Sequence, residues 1–179
     1  MRTQNILLCS CLLIFNLAGG AAIAKTNTVV LSNQFKAALL CKAEPVDARD
    51  SGITTQLNKQ KITVKNFEKD GLIDLEYRFT KPLQIANTSV SVVRYQGDSG
   101  SYFFAIAKGD MARFAKSIGA KPVPVQLKET LSWGDNINQY YQYTTDVTAD
   151  NPYPDTILIG RDKTSKQGEF YFGCLRFDY

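Results

Sequence analysis

The chain of 179 residues contains no histidine. That absence excludes a Ser-His-Asp triad, a Cys-His pair and every histidine-bearing zinc site. Charge of one sign is scarce too. The formal net charge of +4 is far from the concentrated Lys and Arg of a nucleic-acid binder, so no nucleic-acid partner is expected. No G-x-G-x-x-G, P-loop or EF-hand loop occurs, and Asp146, Asp150 and Asp155 lack the spacing of a calcium loop. These gaps leave no expected cofactor and no expected metal. What is present is 44% hydrophobic and includes 10 Phe and 9 Tyr, which excludes a disordered chain and a polytopic membrane protein.

Only one long apolar run occurs, over residues 6–18, broken by Ser10 and Asn16. Arg2 precedes it, and Ala22 and Ala24 follow in an A-x-A pattern. This is the layout of a secretory signal peptide, with residues 1–24 removed and 25–179 left as a single secreted domain. The run is shorter than a bilayer span needs, so no stable membrane span is expected after cleavage. The expected location is the periplasm or the extracellular space. Removal takes Cys9, Cys11 and one charge, leaving 155 residues at +3 with two cysteines, Cys41 and Cys174. Two cysteines in an exported chain pair, and the sequence therefore predicts a Cys41–Cys174 disulfide.

Leu31, Phe35, Ala38 and Leu39 recur at helical spacing, with Ser32 as a cap and Pro45 as a stop. A second helix is expected from Asp50, placing Ile53 and Leu57 one turn apart. The period changes to two at Lys61. Ile62 and Val64 alternate with polar residues, residues 68–71 form a turn, and Ile73, Leu75, Tyr77 and Phe79 alternate with Asp74, Glu76 and Arg78. Lys81-Pro82 should end that strand. Runs at 90–95 and 102–107 then form a hairpin, Asp110 caps a short helix that Gly119 terminates, and strands follow at 138–147, 156–161 and 169–177. Helices first and consecutive strands after predict an α+β fold: N-terminal helices packed on a mostly antiparallel sheet, one short helix inserted between strands.

Gly97-Asp98-Ser99-Gly100 has the composition of a protease nucleophile loop, but no base exists to serve it, and it reads as turn chemistry. No S-x-x-K occurs after residue 24 to support serine–lysine catalysis. Asp74 and Glu76 share one wet strand face, close enough for glycoside hydrolysis but without the burial a general acid needs. Tyr140, Tyr141 and Tyr143, and the lone Trp133 in a loop, are candidates for either core or contact patch.

Ser99-Gly100-Ser101-Tyr102 resembles the S-G-x-Y loop motif of bacterial periplasmic lysozyme inhibitors. The likeness covers four to seven residues; two leading helices and a longer chain depart from that family. It implies a loop that enters an enzyme's cleft, with Ser99, Gly100 and Tyr102 in contact and Lys108 assisting from a second loop. The chain is therefore expected to be no enzyme but a periplasmic binding protein of inhibitor, immunity or accessory type, acting on another envelope or secreted protein. The alternatives are a histidine-free carboxylate hydrolase of envelope glycans and an envelope-assembly protein.

Overall fold

Eight strands build one antiparallel sheet in the computed structural model, which describes residues 22–97, 100–131 and 137–177. Two helices lead, α1 (Ala22–Leu39) and α2 (Ser51–Lys59). The strands β1 (Ile62–Asn66), β2 (Ile73–Ile85), β3 (Thr88–Gly97) and β4 (Gly100–Lys108) then run as a meander. After α3 (Met111–Ile118) come β5 (Lys121–Pro122), a single 3-10 turn at Val125–Leu127, β6 (Ile137–Tyr143), β7 (Thr156–Arg161) and β8 (Glu169–Phe177). β8 returns to pair with β4, so the sheet order is β1-β2-β3-β4-β8-β7-β6-β5. Two meanders of four strands share one seam, and the fold class is mixed α+β.

Local chemistry explains most boundaries. The Asp50 carboxylate accepts from the Gly52 amide and starts α2, and Asp110 does the same for α3 through Arg113. Gly119, with φ at 81°, ends α3 in the left-handed conformation. The α1 terminus uses Cys41 instead, with φ at 55°, while the Lys42 amide bonds back to the Ala37 carbonyl at 2.7 Å. That turn aims the thiol at β8, and the Cys41–Cys174 disulfide is formed.

The strand expected at 138–147 stops at Tyr143 as β6, and two further expectations need correction. Ser32 is no cap, because α1 begins at Ala22 and carries neither Gly nor Pro to interrupt it. Lys81-Pro82 does not end β2. Instead the pairing with β3 jumps from Arg78↔Val92 to Leu83↔Val90, so that residues 79–82 bulge opposite Ser91 alone. Proline has no N–H to give the ladder, and a bulge is where a strand tolerates it.

Strand alternation splits the side chains between two faces. One face carries Leu75, Tyr77, Val93, Phe103, Ala105, Ile159 and Phe172, all buried. Leu31, Phe35, Ala38 and Leu39 of α1 join that core, with the Phe35 ring edge-on to Tyr77 and Phe79 at 5.1 and 4.9 Å. Phe114 of α3 extends it over Phe172, with ring centroids 4.3 Å apart. The other face holds a smaller cluster of Tyr102, Phe104, Leu158, Tyr171 and Leu175, over which Val123, Leu127 and Leu131 are strapped. Asn138 ties this strap down: its amide donates to the Leu131 carbonyl, and its oxygen accepts from the Tyr171 hydroxyl at 2.9 Å.

Candidate functional site

The antiparallel register sorts the connections into two ends of the sheet. At one end lie the 67–72 turn, the short link between β3 and β4, the 144–155 loop and the end of β8. At the other lie the 86–87 turn, Gly109 and the 162–168 loop.

The first end carries exposed apolar side chains. Phe67 is 51% exposed, Leu72 47%, Val147 58%, Tyr153 50% and Phe177 37%. Five of the eight large exposed hydrophobic residues among the described ones are therefore on this end. β2 and β8 are three strand spacings apart, about 14 Å along the sheet. Leu72 and Phe177 accordingly lie on either side of Gly97 and Gly100 at the ends of β3 and β4, and the Tyr153 and Phe177 rings meet at 5.5 Å.

Polar anchors stiffen this end. The Tyr77 hydroxyl donates to the Val46 carbonyl and accepts from the Ala48 amide at 3.0 Å, which holds the 43–50 segment against the sheet. Burial pushes the Tyr77 phenol well above its ordinary range. Arg49 reaches Asp47 at 2.5 Å and Glu68 at 3.4 Å, and the Arg49 hydrogen bonds hold the Asp47 carboxyl below its usual value. Arg176 pairs with Glu44 at 2.8 Å and Asp155 at 3.0 Å. The Arg94 guanidinium faces the Phe67 ring at 5.8 Å while bonding Asp74 at 2.7 Å.

The ends differ in charge. The apolar end carries Glu44, Asp47, Asp50, Glu68, Asp70, Asp146, Asp150 and Asp155 against Lys42, Arg49, Lys69 and Arg176, and the opposite end carries Lys59, Lys61, Lys81, Lys108, Arg161, Lys163 and Lys166 against Asp110, Asp162 and Glu169. The sequence shows each charge but not that the register leaves one end net acidic and the other net basic.

The expected site residues fall out differently from one another. Gly100 opens β4 at the apolar end, and an added Cβ there would meet the Arg176 carbonyl at 2.7 Å, so the glycine serves the close approach of β8. Asp98 and Ser99 lie outside the described residues, as does Trp133. Tyr102 is fully buried: its ring stacks on Phe104 at 4.6 Å, and it offers no surface to a partner. Burial raises its phenol as well. Lys108 is exposed but stands at the far end of the same strand, about 27 Å of extended chain from Gly100, beside Glu169 at 3.6 Å. It cannot assist the loop. Sequence reasoning missed Phe67, Leu72, Tyr153 and Phe177, whose only sequence signal was a large apolar residue in or beside a turn.

The candidate carboxylates are each claimed by arginine: Asp74 by Arg94, and Glu76 by Arg78 at 2.7 Å. A general acid needs the reverse, a carboxyl shielded from cations. Tyr141 and Tyr143 meet edge-on at 5.1 Å beside the smaller cluster, and Tyr140 packs toward the larger one. Among the described residues no three Cys, Asp or Glu side chains converge as a metal site, and no helix is long and apolar enough to cross a membrane. No protein-family model, curated protein or solved structure matches the chain.

Proposed function

We propose that this chain is an exported, non-catalytic binding protein of inhibitor, immunity or accessory type, and that it grips another envelope or secreted protein with the apolar end of its sheet. One observation carries the reading: Phe67, Leu72, Val147, Tyr153 and Phe177 stand exposed at one end of a disulfide-stapled sheet. Exposed apolar side chains grouped on rigidly held turns favour protein contact, since aromatic anchors at low entropic cost dominate binding hot spots. The arginine-paired carboxylates and the absence of histidine support binding over hydrolysis.

The oxidised protein, immobilised and exposed to periplasmic extract, should retain a partner. A Phe67→Ser/Tyr153→Ser variant should lose it, while Lys163→Ser at the opposite end should keep it. Retention of the same partner by the double variant, or turnover of envelope glycan by the wild type, would overturn the reading.

A further inference from the structure

We propose that the cleft between α1 and the β2 bulge binds a single-chain amphiphile with an anionic head. The site is distant from the apolar turns and does not depend on the protein-contact reading. Its volume is about 430 Å³, inside the roughly 300–1,000 Å³ typical of small-molecule sites.

Three features define the ligand. The floor is apolar, made by Ile62, Phe79 and Leu83, which are 5, 8 and 5% exposed. The lining includes two cations, Lys36 from α1 and Lys81 from the bulge. Among the described residues no Asp or Glu lines the cleft. An apolar floor beside two lysines fits a hydrocarbon chain with a carboxylate or phosphate head, on which charge-assisted hydrogen bonds are strongest.

The bulge is what builds the second wall. Had β2 paired without interruption, residues 79–82 would have lain flat in the sheet. Four residues opposite Ser91 force the chain outward, Pro82 restricts it, and the Thr80 hydroxyl fixes it by donating to the Lys61 carbonyl at 2.8 Å. Lys81 thereby joins Lys36 in the lining of the cleft. Bulges recur where a strand must re-aim a side chain, and this one brings a cation into the lining of an apolar slot.

Calorimetric titration of the oxidised chain with dodecanoate, dodecyl phosphate and dodecyltrimethylammonium, each below its micelle concentration, tests the site. Both anions should bind saturably at one per chain, and the cation at least tenfold more weakly. The tighter of the two anions identifies the head as carboxylate or phosphate. A Lys36→Gln/Lys81→Gln variant, altered only at the two cations of the lining, should melt like the wild type and lose at least tenfold in anion affinity. Equal affinity for cation and anions, absence of saturable binding, or undiminished affinity in the variant would each overturn the proposal.

Discussion

The two faces of this sheet start from the same strand alternation and end in different states. One face is closed by helices, and its core runs unbroken from Ile62 on β1 to Ile159 on β7. The other is closed only over β4, β8 and β7, by a strap whose 3-10 turn leaves Val125 74% exposed. Over β1 to β3 that second face is polar rather than apolar, and partly buried charges hold it in the Glu76–Arg78 and Asp74–Arg94 pairs. Alternation therefore fixes which way a residue points, while what lies above it fixes whether it is dry. Stability should follow the cover.

The largest expected effect comes from cutting the staple of the helical face. Cys41 and Cys174 are 133 residues apart, and chain-entropy reasoning gives about 4–5 kcal/mol for a loop of that size. Reduction under native conditions should lower the melting temperature markedly, with the loss reversed on reoxidation. An unchanged melting curve would mean that α1 is held by packing alone.

Matched truncations compare the faces directly. Leu75→Ala, in the core beneath the helices, should cost about 2–5 kcal/mol, and Leu131→Ala, in the strap, should sit at or below the lower bound of that range because the strap can settle into the gap. Guanidinium denaturation of both variants gives the difference; equal losses would erase the distinction between the faces.

Tyrosine hydroxyls provide a finer test. Tyr77→Phe leaves the Val46 carbonyl and Ala48 amide without their partner and should cost about 1–3 kcal/mol. Burial raises the phenols of Tyr77 on one face and of Tyr102 and Tyr171 on the other. Above the unfolded value of about 10 the unfolded chain binds fewer protons than the native one. The contribution of these groups is thus fully present below about pH 10 and declines as pH rises further. A stability profile between pH 9 and 11 should bend downward, and a Tyr102→Phe/Tyr171→Phe protein should bend less than the wild type.

The smallest effect belongs to the polar half of the second face. Glu76→Gln removes the charge of a carboxylate that is 12% exposed but keeps an oxygen for the half-exposed Arg78, and should change stability by about 1 kcal/mol or less. A urea midpoint shifted as far as that of Leu75→Ala would show that this face is not held as described.

Much of the fold was legible because the signals are local. Alternation at Ile73, Leu75, Tyr77 and Phe79 placed β2, and the runs at 156–161 and 169–177 matched β7 and β8 to the residue. Asp50, Asp110 and Gly119 marked helix ends, since a cap bonds groups within its own turn. Less of the site was legible. The tetrapeptide from Ser99 to Tyr102 suggested one contiguous contact, but an extended strand points successive residues to opposite faces and carries Lys108 away to the other end.

The sequence alone determined most turn positions, the alternating faces and the expected pairing of the two cysteines beyond residue 24. Only the tertiary structure decided that Tyr102 is core, that one end is net acidic and the other net basic, and that Lys36 and Lys81 line one apolar cleft. The reason is physical. Direction along a strand is set by neighbours one and two residues away, but cover is supplied by Leu131, Asn138 and Phe35, which are close to these sites only after the chain has folded.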